Sequence, residues 1–274
     1  MLKNKRLPVL IYFLGIFIFL LAVTGDGSAL LRFLGCLPGG DNAASGPEIT
    51  SVRTEKLLME GTPWETTLYI IRSPVEGPVV MVIGGIHGDE PAGYLAADGI
   101  ASWAIDRGVL LVLPRANVPA IAEQKRSAAG SADLNRSFPG SGAGRGQTAL
   151  LAAAIFEVMH DYRPAWVVDL HEAESCEFKT PGALGQSFIY PHQSTELDIV
   201  KELLIAVNRT VFLDEYNFVL LRGAANGSAI EAAQSIGLEA LIIETCKQMD
   251  LNKRIKFQRQ AAASLLYLLG VTVY

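Results

Sequence analysis

The chain has 274 residues, half of them apolar and 19% charged, with a formal net charge of −5. That composition belongs to a globular protein and excludes a disordered one. The acidic balance, with no basic stripe interleaved with aromatics, excludes nucleic acid as a partner. Three cysteines without Cys-x-x-Cys spacing exclude a disulfide scaffold and a cysteine-based structural zinc site.

The chain opens on Lys3, Lys5 and Arg6, followed by an apolar run from Leu7 to Val23. At about 17 residues the run is just long enough to span a bilayer. Its basic flank predicts an N-terminus left in the cytoplasm and a remainder that is exported. A cleaved signal peptide is the alternative, with small residues at Ala22, Ser28 and Ala29. Pro38 to Pro47 has the composition of a linker. The expected organisation is an anchor or signal over 1–24, a linker over 25–47 and one folded domain over 48–274. A domain of about 230 residues is long enough to bury a substantial core.

Ile49 to Met59 and Thr66 to Ile71 read as an antiparallel pair turned at Gly61-Thr62-Pro63. Val79 to Ile83 is a short apolar run bounded by glycine, as a buried strand reads. Pro91 to Trp103 predicts a helix, Val109 to Leu113 a strand, and Val118 to Lys125 a helical segment. Ala128 to Gly146 is a loop rich in Gly, Ser and Ala that holds Asp133-Leu134-Asn135-Arg136. Then follow a helix over Thr148 to His160, a strand over Trp166 to Leu170, a short strand over Ser187 to Tyr190 and a helix over Glu196 to Val207. Ser228 to Ser235 is helical, Leu238 to Ile243 a strand, and Leu251 to Leu269 a closing helix. Strands alternating with helices predict an α/β fold, a mostly parallel sheet covered on both faces. In such sheets ligands bind beyond the carboxyl ends of the strands.

Three polar clusters fall at those ends: His87 with Glu90, His171 with Glu172, and Glu244. Two of the four histidines therefore follow buried runs, each beside carboxylates. Imidazole and carboxylate suit zinc, so His87, Glu90 and His171 are the expected ligands of one zinc ion per chain. Three protein ligands leave a position for water, whose pKa zinc lowers to about 7. Glu244 is the expected base beside that water, with Glu172 as its rival or as a partner of the ligands. Asn135 and Arg136 suit a substrate carboxylate, the guanidinium as a planar fork and the amide as a further donor. Arg126 is placed to meet a developing oxyanion, in competition with Lys125 and Arg115. Gly140 to Gly146, GSGAGRG, follows no strand and lacks Gly-Lys-Ser/Thr, so it reads as a flap and not as a phosphate loop. Cys176 and Cys246 follow His171 and Glu244 closely enough to form a disulfide in an exported domain, or to stand as two buried thiols.

The set His87-x-x-Glu90, Asp133-Leu134-Asn135-Arg136, His171 and Glu244 resembles the zinc carboxypeptidase superfamily. GGIHGDEPAG, DLNRSFPG and DLHE are most similar to its succinylglutamate desuccinylase/aspartoacylase branch, over about Pro78 to Cys246. The resemblance implies a three-layer fold, an eight-stranded mixed sheet between helices. It implies zinc on His87, Glu90 and His171, and a substrate carboxylate on Asn135 and Arg136. It also implies Arg126 at the oxyanion, with Glu244 activating water and passing its proton to the leaving amine. The implied substrate is a small acylated amino acid or a peptide bearing a carboxylate. Gly227-Ser228 stands at the spacing before Glu244 that carboxypeptidases show. The chain departs from the pattern in three ways. Arg222 takes the place of a lid tyrosine, which implies a second cationic substrate contact. The chain is too short for the C-terminal β-domain of aspartoacylases. It also opens like an exported protein. An extracytoplasmic carboxypeptidase acting on peptides or cell-wall peptides is therefore the alternative enzyme. A zinc-bound module that binds peptides without cleaving them is the alternative of another class.

Overall fold

The computed structural model describes residues 51–140, 146–176, 182–210 and 217–274. The predicted membrane span and linker lie outside them, as do Tyr216 and the interior of the Gly-rich flap. Among the described residues no helix is long and apolar enough to cross a membrane.

Eight strands form one sheet: β1 (Val52–Leu58), β2 (Thr66–Arg72), β3 (Val79–Gly84), β4 (Val109–Leu113), β5 (Trp166–Ala173), β6 (Ser187–Tyr190), β7 (Val219–Arg222) and β8 (Glu239–Cys246). Six helices accompany them: α1 (Pro91–Ile100), α2 (Val118–Glu123), α3 (Gly146–Tyr162), α4 (Leu197–Asn208), α5 (Ala229–Ser235) and α6 (Leu251–Leu268). The strand order is β1-β2-β4-β3-β5-β8-β6-β7. The centre, β4-β3-β5-β8, is parallel. β2 joins one side and β6 the other in the antiparallel sense, so the sheet is mixed.

Successive strand residues enter opposite cores, because side chains alternate across a sheet and both faces are covered. Val80, Val82, Val168, Leu241 and Ile243 pack on one face with Ala96 and Ile100 of α1 and Ala261 and Leu265 of α6. Met81, Ile83, Val167, Ala240 and Ile242 pack on the other with Leu151 and Ile155 of α3 and Ile230 of α5. This double coverage is why the central strands read as unbroken apolar runs. β1 is an edge strand, exposed along nearly all its length. Its charges at Arg53, Glu55 and Lys56 discourage pairing with another chain.

Two elements differ from the sequence expectation. β7 is a half-exposed strand of four residues, too short and too little buried to leave a periodic signal. β5 and β8 run further than their apolar runs. Their pairing continues through His171↔Glu244 to Ala173↔Cys246, so both polar residues stand on the sheet itself. Cys176 and Cys246 are disulfide-bonded, with Cα atoms 4.9 Å apart.

Candidate active site

β3 ends in glycines because the chain there runs against its neighbours. Gly85 has φ +71°, and a Cβ on Gly88 would lie 2.0 Å from the Ala120 carbonyl oxygen. Gly88 instead donates its backbone N–H to Lys125 at 2.9 Å. Asn117 donates its side-chain amide to the Ile86 carbonyl and accepts from Ala120 at the start of α2. These contacts seat α2 on the His87–Glu90 turn and deliver Arg126 to its edge.

His87, Glu90 and His171 are all buried, and one ligand atom from each lies within 4.8 Å of the others. The Glu90 carboxylate sits between the imidazoles. Its Oε1 is 2.8 Å from His87 Nδ1 and its Oε2 is 2.8 Å from His171 Nδ1. The far nitrogen of each ring also meets a carboxylate. His87 Nε2 is 3.1 Å from Asp133 Oδ1, and His171 Nε2 is 2.8 Å from Asp169 Oδ2. Each imidazole is thus oriented by an aspartate at Nε2 and turns Nδ1 inward. That is how metal-binding histidines are held. Two inward nitrogens and a buried carboxylate suit zinc, so these residues fit the ion.

Charge balance follows from this packing. Burial opposes the charged form of Glu90, yet His171 and His87 outweigh it and hold the carboxyl well below its usual range. Burial likewise opposes ionisation of Asp133, but the His87 contact and Arg126 carry it well below the carboxylate range. Burial would lower His171, and Asp169 and Glu90 raise it well above its ordinary value.

Glu244 is 4% exposed and stands directly beside His171 on the neighbouring strand. Burial pushes its carboxyl up to about 8. Arg126 donates Nε and Nη2 to Asp133 Oδ2 at 3.0 and 2.9 Å. Its Nη1 lies 3.8 Å from Glu90 Oε1, at the edge of the cluster. Of its sequence competitors, Arg115 is paired with Asp98 and Lys125 with Glu123. Asn135 is buried. Its side chain accepts from Ala229 at the start of α5 and lies 3.4 Å from His171 Nε2. Arg136 is exposed and donates Nη1 to the Asn135 carbonyl.

The structure does not bring Arg222 to this group. Tyr190↔Arg222 and Ser187↔Glu244 are registered pairs, and β6 runs antiparallel to β8. Arg222 is therefore about 10 Å along the strand and about 10 Å across two strands from the Glu244 level. Its guanidinium donates to the His192 carbonyl. Glu172 is neither rival base nor ligand partner through its side chain. It follows His171 directly, so it points through the sheet to the opposite face and pairs with Arg254 of α6. Its other oxygen accepts from Ala92 in the first turn of α1 at 2.8 Å. Glu90 occupies the N-cap position of that helix but makes no capping bond, since its carboxylate is held by the histidines.

Sequence reasoning passed over Asp169 and assigned no role to Asp133. Asp169 had a signal: it lies two residues before His171 and so on the same face. Lys247, also unassigned, reaches Asp89 at 3.3 Å and contacts Glu174, tying the ends of β3, β5 and β8 together.

A model of the succinylglutamate desuccinylase/aspartoacylase catalytic domain matches residues 76–269, well over half of the chain. The chain belongs to that family. Among solved structures, this family member is similar to the apo cell shape determinant protein Csd4 from Helicobacter pylori. The two share 18% identity at a TM-score of 0.67, over 82% of this chain and 56% of that one. It is also similar to a succinylglutamate desuccinylase/aspartoacylase from Rhodobacter sphaeroides, with 20% identity, a TM-score of 0.60, and 84% and 69% of the two chains covered. A third is the ectoine utilization protein EutE (DoeB) from Ruegeria pomeroyi, with 19% identity, a TM-score of 0.57, and 76% and 62% covered. At these identities the likeness shows a shared fold, and the chain spans about half the length of Csd4. No curated protein matches it.

Proposed function

We propose that this family member is a zinc-dependent hydrolase that cleaves an amide bond next to a carboxylate, in the manner of a deacylase. One observation carries the reading. Two buried imidazoles turn Nδ1 toward one shared carboxylate while aspartates hold both Nε2 atoms. His87, Glu90 and His171 would hold the zinc. When bound, the ion supplies Lewis-acid polarisation of a carbonyl and a water of lowered pKa.

The rest falls to the chain's own side chains. Glu244, buried beside His171, takes a proton on its carboxylate and returns it to the leaving amine. Its raised affinity for a proton suits an acid–base group, and a cation in the cluster offsets part of that rise. Arg126 at the rim meets negative charge developing on the scissile carbonyl oxygen. Asn135 and the exposed Arg136 are the proposed contacts to the substrate's carboxylate. Arg222, at the end of β7 and donating to the His192 carbonyl, is left out of this reading.

A second reading, an extracytoplasmic carboxypeptidase acting on peptides, is favoured by the apolar run at Leu7 to Val23 and by the Cys176–Cys246 disulfide. Structural disulfides belong to oxidising compartments. The structurally similar Csd4 is described as a D,L-carboxypeptidase in an mDAP-bound form. In this reading the protein is anchored to the membrane with its catalytic domain outside the cytoplasm. Recovery of intact Met1 to Val23 from the membrane fraction supports the anchor, and a soluble mature chain starting after Ala22 opposes the anchor in favour of secretion after signal cleavage.

The deciding experiment compares N-acyl amino acids, C-terminal peptides and cell-wall peptides as substrates of the zinc-loaded chain, with and without chelator. Turnover that the chelator abolishes supports the hydrolase, and the preferred substrate separates the two readings. Glu244→Gln keeps its zinc and loses about 10²–10⁴-fold in kcat. A chain that binds these ligands with no turnover by either form is a binding module instead.

A further inference from the structure

Resting on the hydrolase reading, a further residue belongs to the base. Ser187 stands on β6 directly opposite Glu244 of β8 in an antiparallel pair. Residues so paired share one face of the sheet, with Cβ atoms about 4.5–5.5 Å apart. Ser187 is fully buried. Among the described residues its Oγ has no hydrogen-bond partner, and neither has Glu244 Oε2. Two orphaned polar atoms on facing positions are unusual, since buried polar groups are nearly always paired.

The surroundings leave the hydroxyl one polar choice within the sheet. Its lateral neighbour on β7 is Val219. Its diagonal neighbours on β8 are Ile242 and Cys246, and the latter's sulfur is committed to the disulfide. Ile189 is two residues along its own strand. Among these neighbouring side chains only Glu244 offers a carboxylate acceptor. A carboxylate accepts at both oxygens, and a base using one of them needs the other fixed. Arg126 makes no hydrogen bond to Glu244, since its Nε and Nη2 donate to Asp133 and its Nη1 lies nearest Glu90.

We propose that Ser187 is a positioning residue whose hydroxyl donates to Glu244 Oε2, leaving Oε1 to face the metal cluster. The bond would fix one carboxylate rotamer across the β6–β8 seam.

Two readouts test it. The first is a high-resolution structure of the zinc-loaded wild-type chain. It should show Ser187 Oγ within about 3.2 Å of Glu244 Oε2, ordinary hydrogen-bond range. A separation beyond that range overturns the proposal. This readout needs no turnover, so it stands whether or not the hydrolase reading survives its own screen. The second is Ser187→Ala, which removes a single atom. It should lower kcat about 10-fold, the scale of a hydrogen bond to a charged group, with KM, zinc content and Tm unchanged. An idle hydroxyl would leave kcat untouched, and a merely structural one would lower Tm or zinc content together with activity. Either result overturns the proposal. In the Glu244→Gln background Ser187→Ala should cause no further loss, and a second 10-fold fall there also overturns it.

Discussion

Under the proposed function, zinc binding displaces a proton from His171. Both ring nitrogens face carboxylates at 2.8 Å, Nδ1 toward Glu90 and Nε2 toward Asp169. Two such acceptors favour a hydrogen on each nitrogen, the imidazolium form. Burial opposes that charge, but Asp169 and Glu90 outweigh it, so the ring titrates well above its ordinary 6.5. The sign follows. The folded value is raised, so the charged ring stabilises the metal-free fold fully below the unfolded value of about 6.5. That stabilisation fades as pH climbs through the folded value. Zinc requires the neutral ring, so one proton leaves with each ion bound below that folded value. One proton per ion makes zinc Kd fall about 10-fold for each pH unit gained, about 1.4 kcal/mol. Calorimetry at pH 7 in buffers of different protonation enthalpy counts the protons released, and chelator competition at pH 6 and 7 reads Kd. We expect at least one proton and a 10-fold change. A proton count near zero with a flat Kd would refute the claim that His171 is held as an imidazolium by its two carboxylates.

Asp169→Asn is expected to weaken zinc binding about 10–100-fold, the cost of losing an orienting partner. The amide would donate to Nε2 and move the ring's proton to Nδ1, which chelator competition detects. Gly88→Ala should abolish zinc loading and lower Tm, since the new methyl meets the Ala120 carbonyl 2.0 Å away. A variant that binds zinc like the parent would show that the turn is more pliant than its packing implies. Reducing the Cys176–Cys246 bond, whose residues are 70 apart, should cost about 4 kcal/mol by loop-closure entropy. Urea melts with and without reductant measure it, and coincident curves would show that the bond contributes nothing.

The convergence of His87, Glu90, His171 and Glu244 was legible because strand ends are legible. Short apolar runs mark buried strands, a parallel sheet collects their carboxyl ends, and polar residues just past each run must share one cleft. The sheet's outer part was not legible in this way. β7 is four partly exposed residues, too few to show a period. Arg222 was reached by counting back from Gly227-Ser228. Counting fixes a position in the chain but not the direction in which a strand runs. β6 and β7 descend where β8 ascends, and this carries Arg222 away from the Glu244 level.

The orienting aspartates show what a stricter use of the same rule yields. Once β5 is read as a strand through His171, alternation sorts its polar residues without further information. Asp169 shares the face of His171, whereas Glu172 must face away. The two carboxylates then acquire different work. Asp169 takes the ring's Nε2, while Glu172 meets Arg254 and the first turn of α1. The arrangement explains why Glu172 is needed at all. Glu90 stands where α1 would take its cap, and its carboxylate is turned to the histidines instead. The helix end that Glu90 leaves uncapped is thus satisfied from β5, the strand that carries His171. His171 on one face and Glu172 on the other couple the cluster to the helical layer behind the sheet.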